Sequence, residues 1–377
     1  VTWAEGNGYL SAQFFNQSGA QIGEQFNMRP GWNHHADIVG SSDGGFWISG
    51  NVAQDAIYIY QIESEGHSYR AVIAANDIQD VEDRKILKHE ETLSTKEQSM
   101  MQLILQRNAI IKPVLLAYEG NNDINLFIAK EMDSLRALFK LDFEETQESH
   151  TLYAITDRKK IAKLQILFKE KVKKCFIADG HHRVSTASIL HKGNHLRKDQ
   201  LNSLLSVYFP FEELDIYDYN RSIKLQEDLT EAQIVARLSK VFKISELDTA
   251  AKPKKKHHIT MHLGKIWYLL KWKNKIIEKY NSDGLVLDAD LLNRYVLDDI
   301  LDIEDIGTDL RVKYIAGTLG TDGVEKLAMK EHGRIGFCLY AVTKQELKYI
   351  AENGLHLPPK STWFEPRIKN GVIVQEL

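Results

Sequence analysis

Hydrophobic and polar residues follow two different patterns along the chain, and the pattern changes near residue 56. Residues 1–50 are rich in Gly, Asn, Gln and Ser, and short alternating runs such as 9–15 predict a few short antiparallel strands separated by turns. Longer apolar runs begin after residue 56. Two of them, 56–62 and 69–75, flank Glu65-Gly66 and predict a β-hairpin.

Between residues 114 and 190, apolar runs alternate with segments whose apolar residues recur at helical spacing. Strands are predicted at 114–118, 152–155 and 175–178. One helix is predicted around 130–139, and a second is predicted to begin after Asp157, which is suited to capping its first turn. Strands that alternate with helices in this way predict an α/β layer arrangement.

The remaining third of the chain predicts a further α+β arrangement. Strands are expected at 258–263 and 266–272, and capping boxes at Thr230 and Thr343 predict helix starts. The basic run at 252–258 is short and lies between strand-like segments, which favours a solvated loop over contact with nucleic acid. We expect a domain boundary there, giving a β-rich segment at 1–50 and domains at 51–250 and 251–377.

One stretch, residues 174–187, concentrates the candidate chemistry. An apolar run ends at Asp179-Gly180, and a helix is predicted to begin with His181-His182-Arg183 and to stop at Gly193. The free backbone N–H groups and positive dipole of a helix start favour an anion, and guanidinium and imidazole groups add donors suited to phosphate.

A simpler interpretation of the same stretch is an ordinary Asp-Gly turn followed by a polar first turn that faces water. A metal site is disfavoured, because neighbouring helical residues point about 100° apart and no further histidine or cysteine stands at a chelating spacing.

Composition limits the classes of partner. The chain has 377 residues, a mass of 43.2 kDa and a net charge of −4, which gives no overall field that would attract nucleic acid or a membrane surface. Cys175 and Cys338 both lie in apolar, strand-like runs, which is typical of reduced core residues in a cytoplasmic protein. The sequence contains neither an apolar run of membrane-spanning length nor a signal-peptide pattern at its start.

Four segments carry a resemblance to a known family. Asp179-Gly180-His181-His182-Arg183 after an apolar strand resembles the signature of DUF1015, a family of unknown function related to the ParB/sulfiredoxin-like superfamily. Supporting segments are found at 86–97, which contains His89-Glu90, at 214–221, which ends in Asn220-Arg221, and at 358–366. The resemblance runs from about residue 55 to the C-terminus and does not include residues 1–50.

The resemblance implies a fold and a chemistry. The expected fold is mixed α/β, with a ParB/sulfiredoxin-like nucleotide-binding core, a C-terminal α+β domain and an atypical β-rich N-terminal segment. Some relatives phosphorylate free L-serine with ATP or ADP, which implies a kinase that uses Mg²⁺. The implied phosphate contacts are Gly180, His181, His182, Arg183, Ser185, Thr186, Arg221 and His89. Asp179 would hold the metal or orient the substrate, and Glu90 would serve as base.

Other interpretations stay open beside the kinase. His89 and Glu90 could form a loop salt bridge with Lys88 or Lys96, and Arg221 could be a surface arginine. The non-enzymatic alternative is a nucleotide-sensing regulatory protein of the ParB-like type. Sulfiredoxin-like redox chemistry is disfavoured, because His181 occupies the position where that chemistry needs a cysteine. The preferred base, the acceptor and the oligomeric state are not determined by the sequence.

Overall fold

The computed structural model describes residues 56–376 apart from 93, 108, 194–200, 227–228 and 281–284, together with five short strands between residues 2 and 49. The strands are β1 (Thr2–Gly6), β2 (Tyr9–Phe15), β3 (Gln21–Met28), β4 (Asp37–Gly40), β5 (Phe46–Ser49), β6 (Ile57–Ser64), β7 (His67–Asp77), β8 (Ile86–Leu87), β9 (Ala109–Ile110), β10 (Val114–Tyr118), β11 (Ala137–Phe143), β12 (Glu148–Ile155), β13 (Cys175–Asp179), β14 (Ser203–Pro210), β15 (Asp215–Tyr217), β16 (Tyr219–Lys224), β17 (Phe242–Leu247), β18 (His258–Leu263), β19 (Ile266–Trp272), β20 (Val312–Ala316), β21 (Arg334–Cys338), β22 (Trp363–Glu365) and β23 (Gln375–Glu376).

The described helices are α1 (Gln79–Glu82), α2 (Ser94–Arg107), α3 (Asn122–Ser134), α4 (Arg158–Lys171), α5 (His181–Lys192), α6 (Glu231–Leu238), α7 (Asn274–Tyr280), α8 (Asp288–Leu292), α9 (Gly320–Lys330) and α10 (Lys344–Glu352). A π-helical turn at Asn293–Asp298 continues α8, and short 3₁₀ turns lie at Phe211–Glu213 and Gly317–Leu319. None of the helices in the described part of the chain is long and apolar enough to cross a membrane.

The chain divides into two compact units. Unit 1 comprises residues 1–215 and 366–377, and unit 2 comprises residues 216–365. The sequence predicted a boundary near residue 250, whereas unit 2 begins 35 residues earlier. The reason is that β16 and β17 belong to one sheet with β18, β19, β20 and β21, so a boundary at residue 250 would divide that sheet. The separate status of residues 1–50 stays a prediction.

Unit 1 is built on an eight-stranded mixed sheet with the order β11-β12-β6-β7-β14-β10-β13-β8. Strand β10 lies inside the sheet, parallel to β14 and antiparallel to β13, and all five of its residues are buried. Helix α5 follows β13 directly and buries Val184, Ala187 and Leu190 in the same core. The start of α5 is therefore held in place by β13 and by the core of unit 1.

The predicted hairpin and the predicted N-terminal strands are confirmed. β6 and β7 pair antiparallel across Glu65-Gly66, and both turn residues have positive φ, as a tight two-residue turn requires. Within the first 49 residues, β1, β2 and β3 form an antiparallel sheet, and β4 pairs antiparallel with β5.

The helix predicted at 130–139 is wrong. Helix α3 starts earlier because Asn121 caps it by accepting the N–H of Asp123, and it ends at Ser134. Residues 137–143 form β11, in which Lys140 and Asp142 are exposed while their neighbours are half-buried. This period-two exposure is that of a sheet strand and not of a helix face.

Unit 2 is a six-stranded antiparallel sheet with the order β17-β19-β18-β21-β16-β20. Its predicted strands at 258–263 and 266–272 are confirmed as β18 and β19. The capping boxes at Thr230 and Thr343 are both present at the starts of α6 and α10. Both cysteines are buried and free, as the sequence predicted. The fold is mixed α/β.

Candidate functional site

The predicted strand–turn–helix at residue 179 is confirmed. β13 ends at Asp179, Gly180 has φ 112° and ψ 24°, and α5 begins at His181. The backbone conformation favours glycine, and a Cβ atom at this position would lie 2.7 Å from Nη2 and 2.8 Å from Nε of Arg183, so any larger residue would displace that guanidinium. The N–H groups in the first turn of a helix have no acceptor inside that helix, and such a position favours an anion.

Three cationic side chains converge on Asp179. Nη2 of Arg183 lies 2.8 Å from Oδ2, and Nζ of Lys112 lies 3.0 Å from the same oxygen. Nη2 of Arg367 donates to Oδ1 at 2.9 Å. Both carboxylate oxygens are therefore engaged with cations, and the expected role of Asp179, to hold the metal or orient the substrate, stays a prediction.

This group of four residues, the Asp179 cluster, carries more positive than negative charge. Three cations face one carboxylate, which leaves a surplus of two positive charges. Burial alone would raise the pKa of Asp179, but Arg183, Lys112 and Arg367 outweigh it and hold that pKa far below its usual value. Burial also lowers the pKa of Lys112, partly opposed by Asp179.

The cluster is neither fully exposed nor sealed. Between 12% and 29% of the surface of its side chains is exposed, with Arg183 the most enclosed and Arg367 the most open. The buried Nε of Arg183 has no hydrogen-bond acceptor within the described residues. An additional acceptor at this edge of the guanidinium would therefore satisfy a donor that the protein leaves unused.

His181, an expected phosphate contact, is enclosed by its own unit. Its side chain is buried, and burial lowers its pKa to about 3, so the imidazole is neutral at physiological pH. Its Nε2 accepts a hydrogen bond from the backbone N–H of His89 at 3.4 Å, and His89 is itself fully buried. The two imidazole rings meet edge to face, with their centres 4.4 Å apart. The pair fixes the 89–92 segment against the start of α5.

A second contact holds the same two segments together. The Glu97 carboxylate, on α2, accepts hydrogen bonds from the hydroxyls of Thr92 and Ser185. These two hydrogen bonds lower the pKa of Glu97, the Ser185 bond most strongly. Ser185, an expected phosphate contact, is thus engaged with Glu97. Thr186 is fully buried, which leaves it no surface for a ligand.

The remaining predicted site residues lie in different surroundings. His182 and Glu90 are half-buried, and His182 is near enough to Glu97 to help lower its pKa. Arg221 belongs to unit 2, where it is fully buried in β16. Unit 1 therefore brings together Asp179, Gly180 and Arg183, with His89 and His181 beside them, and the phosphate contact expected of Arg221 stays a prediction.

Sequence reasoning missed Lys112 and Arg367. Lys112 precedes β10 by two residues, and the pairing of Leu115 with Asp179 brings it to the end of β13. Arg367 lies on the C-terminal segment, which adds β23 beside β9 in unit 1. Neither residue stands in a local motif, and only the antiparallel register of β10 with β13 could have indicated Lys112.

The described side chains do not form a metal-binding site by themselves. No group of three or more His, Cys, Asp or Glu side chains in the described part of the chain is arranged to hold one. Mg²⁺ is usually bound by one or two carboxylates together with substrate phosphates and water. A Mg²⁺ ion at this site would thus have to enter with a phosphate ligand.

Comparison with known families decides the classification. The family described as "Protein of unknown function (DUF1015)" matches residues 47–291, which include the whole signature. The chain belongs to the DUF1015 family. The match ends before residue 358, so the resemblance at 358–366 stays a prediction. No curated protein matches the chain.

Several solved structures are similar in fold to this DUF1015 protein. A point mutant of a free serine kinase in complex with AMP is 15% identical, with a TM-score of 0.42, and the match covers 78% of this chain and 87% of the kinase. A conserved hypothetical protein from Pyrococcus furiosus is 15% identical, with a TM-score of 0.40 and coverage of 79% and 93%. C-terminally truncated SbnI from Staphylococcus aureus is 10% identical, with a TM-score of 0.43 and coverage of 79% and 85%. Similarity at this level does not extend to function or to site residues.

Proposed function

We propose that unit 1 binds the phosphate groups of a nucleotide at the Asp179 cluster and the first turn of α5. The observation that carries the proposal is the convergence of Lys112, Arg183 and Arg367 on Asp179, beside the unused Nε of Arg183. Charges as enclosed as these are costly unless they are compensated, and an incoming oxyanion would supply the compensation.

The geometry suits phosphate in particular. Arginine presents planar, paired donors that match phosphate oxygens, and Arg183 retains an unused Nε. The backbone N–H groups after Gly180 add donors that carry no counter-charge of their own. Asp179 acts as an internal anion that keeps the three cations together, and a bound phosphate would interact with the same three cations.

The finer proposal is phosphoryl transfer from ATP or ADP to a small hydroxyl compound such as free L-serine. This reaction depends mainly on positioning and charge neutralisation, which a cationic cluster beside a helix start supplies. Gly180, His182 and Arg183 would contact the phosphates, and half-buried Glu90 would accept the proton of the acceptor hydroxyl. Mg²⁺, when bound with the nucleotide, would supply further charge neutralisation. His181 and His89 would position the segment and leave the charge to the cluster.

The test separates binding from catalysis. ADP, ATP and CTP are titrated against the protein by calorimetry, and mixtures of each with L-serine and Mg²⁺ are analysed for phosphoserine by mass spectrometry. We expect saturable binding of ADP or ATP and formation of phosphoserine. Binding without product would favour the nucleotide-sensing alternative. Absence of binding by all three nucleotides would contradict both.

Variants identify the site. Arg183→Gln and Lys112→Gln each remove one positive charge from the cluster and should weaken nucleotide binding by about ten- to a hundredfold. Arg136→Gln is the matched control, because Arg136 is an exposed arginine of unit 1 outside the cluster. An equal loss in the control would show that only net charge matters.

A further inference from the structure

Unit 2 contains a buried arginine whose hydrogen-bond donors are only partly used in the described part of the chain. Arg221 lies in β16 between Phe337 of β21 and Tyr314 of β20, and its side chain is fully buried. Its one hydrogen bond within the described residues joins Nη1 to the carbonyl oxygen of Tyr219 at 3.2 Å. A fully buried arginine without an ionic partner is rare, because removing a charge from water is costly.

The unused donors of Arg221 are on one edge of its guanidinium. Nε and Nη2 are both buried and have no acceptor in the described part of unit 2. These two nitrogens are the pair that binds a carboxylate side-on through two parallel hydrogen bonds. The neighbouring arginine Arg334 is different, since it donates to Ser222, to the carbonyl of Arg311 and to Glu331. Incomplete pairing is thus a property of Arg221 and not of every buried arginine in this sheet.

Aromatic rings lie beside Arg221. Its guanidinium lies 5.7 Å from the centre of the Tyr314 ring, which meets the Tyr219 ring edge to face at 6.3 Å. Nζ of Lys360 lies 5.1 Å from the centre of the Tyr219 ring. Tyr219, Tyr314 and Lys360 are each only half-buried, so this rim reaches the surface of unit 2.

Two acidic residues, Asp218 and Asp290, lie near enough to favour the charged form of Arg221, although burial lowers the pKa of the arginine. Burial raises the pKa of Asp218, which weakens the negative charge it offers. Asp290, half-buried in α8, forms no ion pair with Arg221 among the described residues. Burial raises the pKa of Asp290 to about 6, and the charge of Arg221 opposes that rise. A carboxylate held in this way leaves Arg221 only partly neutralised. It would also repel a dianion more strongly than a monoanion.

We propose that unit 2 binds a small organic carboxylate, held side-on by Nε and Nη2 of Arg221 with its organic part against the rim of Tyr219 and Tyr314. The proposal goes beyond the nucleotide function, because it uses residues of unit 2 alone. A monoanionic carboxylate supplies two acceptors to the edge of Arg221 whose donors are unused. The rings supply apolar contact next to those acceptors.

The direct test observes Arg221 in the full chain. In ¹⁵N-labelled protein, its Nε–H resonance is identified by its absence in Arg221→Lys, and sodium acetate, sodium phosphate and sodium chloride are titrated at equal ionic strength. We expect a saturable downfield shift with acetate and none with chloride. No shift with acetate, or the same shift with chloride, would overturn the proposal. Saturation by phosphate at a lower concentration than by acetate would also overturn it in favour of a phosphate site.

A second measurement uses stability and a matched pair of variants. Removing a buried charge whose donors are mostly unsatisfied should cost little, so Arg221→Met should melt at the wild-type temperature or above it and lose the stabilisation by acetate. Arg334→Met removes an arginine with satisfied donors, so it should melt lower and keep the acetate effect. Undiminished stabilisation of Arg221→Met by acetate would contradict the assignment. Failure of this proposal would leave the nucleotide result unaffected, because the two tests use different residues and ligands.

Discussion

Arg367 donates a hydrogen bond to Asp179 across 188 positions of sequence, at 2.9 Å. This contact brings the C-terminal segment to the carboxylate that already binds Arg183 and Lys112. The candidate site of unit 1 is thereby assembled from three separate parts of the chain. Its net charge depends on Asp179, which is the one residue common to all three ion pairs.

Replacing Asp179 by asparagine should destabilise the fold while strengthening its response to anions. Three cations would lose their shared carboxylate, and breaking a buried pair of this kind costs about 3–5 kcal/mol. Denaturant unfolding with and without ADP measures both effects. ADP should stabilise Asp179→Asn more than the wild type. An equal or smaller effect of ADP would show that the cluster does not bind phosphate.

Replacing Gly180 by alanine should weaken both the fold and the site. The residue has φ 112°, and an added Cβ would press against the Arg183 guanidinium. We expect a loss of about 1–3 kcal/mol in the free energy of unfolding, together with weaker nucleotide binding. Gly193→Ala is the control, because Gly193 at the other end of α5 has φ −68°, which alanine adopts readily. Equal losses in both variants would argue against the strain at Gly180.

Two buried histidines should make unit 1 sensitive to acid. Burial lowers the pKa of His150 from 6.5 to about 4, and that of His181 from 6.5 to about 3. Both are neutral in the folded state, so their contribution to the free energy of unfolding is complete above pH 6.5 and is lost as the pH falls toward 4. For His150 the loss is up to about 3 kcal/mol. Urea unfolding from pH 7.5 to pH 4.5 measures it, and His150→Gln should show a smaller decrease.

Asp290 should have the opposite effect on the pH dependence of stability, because it stabilises the fold at low pH. Its pKa is raised from 3.8 to about 6 by burial, so its protonated form is favoured by folding. Its contribution to stability is therefore greatest below pH 4 and is lost as the pH rises through 6. At pH 7, Asp290→Asn should stabilise the protein by about 1–2 kcal/mol, and at pH 4 it should have little effect. A destabilised variant at pH 7 would mean that ionised Asp290 is the partner of Arg221.

The sequence predicted the elements around the site better than the site itself. The strand before Asp179, the turn and helix α5 follow from an apolar run, a turn dipeptide and helical periodicity, all of which are local. Lys112 and Arg367 were missed because strand pairing and the return of the C-terminal segment place them there, and neither leaves a local pattern. The misassigned helix at 130–139 has a similar cause, since pairing with β12 stabilises β11.

The roles of individual side chains depended on burial, which the sequence does not determine. His181, Ser185 and Thr186 stand at helix positions suited to an anion. In the structure, however, His181 is buried and neutral, Ser185 donates a hydrogen bond to Glu97, and Thr186 is fully buried. Arg221 resembles a surface donor in sequence and is fully buried in the structure. Residue type and spacing indicate which chemistry is available, and the packing of the sheet selects the groups that remain able to use it.

Calorimetric titration of ADP into the wild type, Arg183→Gln and the control Arg136→Gln tests the central claim most directly. The account predicts saturable binding to the wild type, unchanged binding to Arg136→Gln, and affinity lower by about tenfold or more for folded Arg183→Gln. Equal affinity for wild type and Arg183→Gln, or no binding of ADP to the wild type, would contradict a phosphate site at the Asp179 cluster.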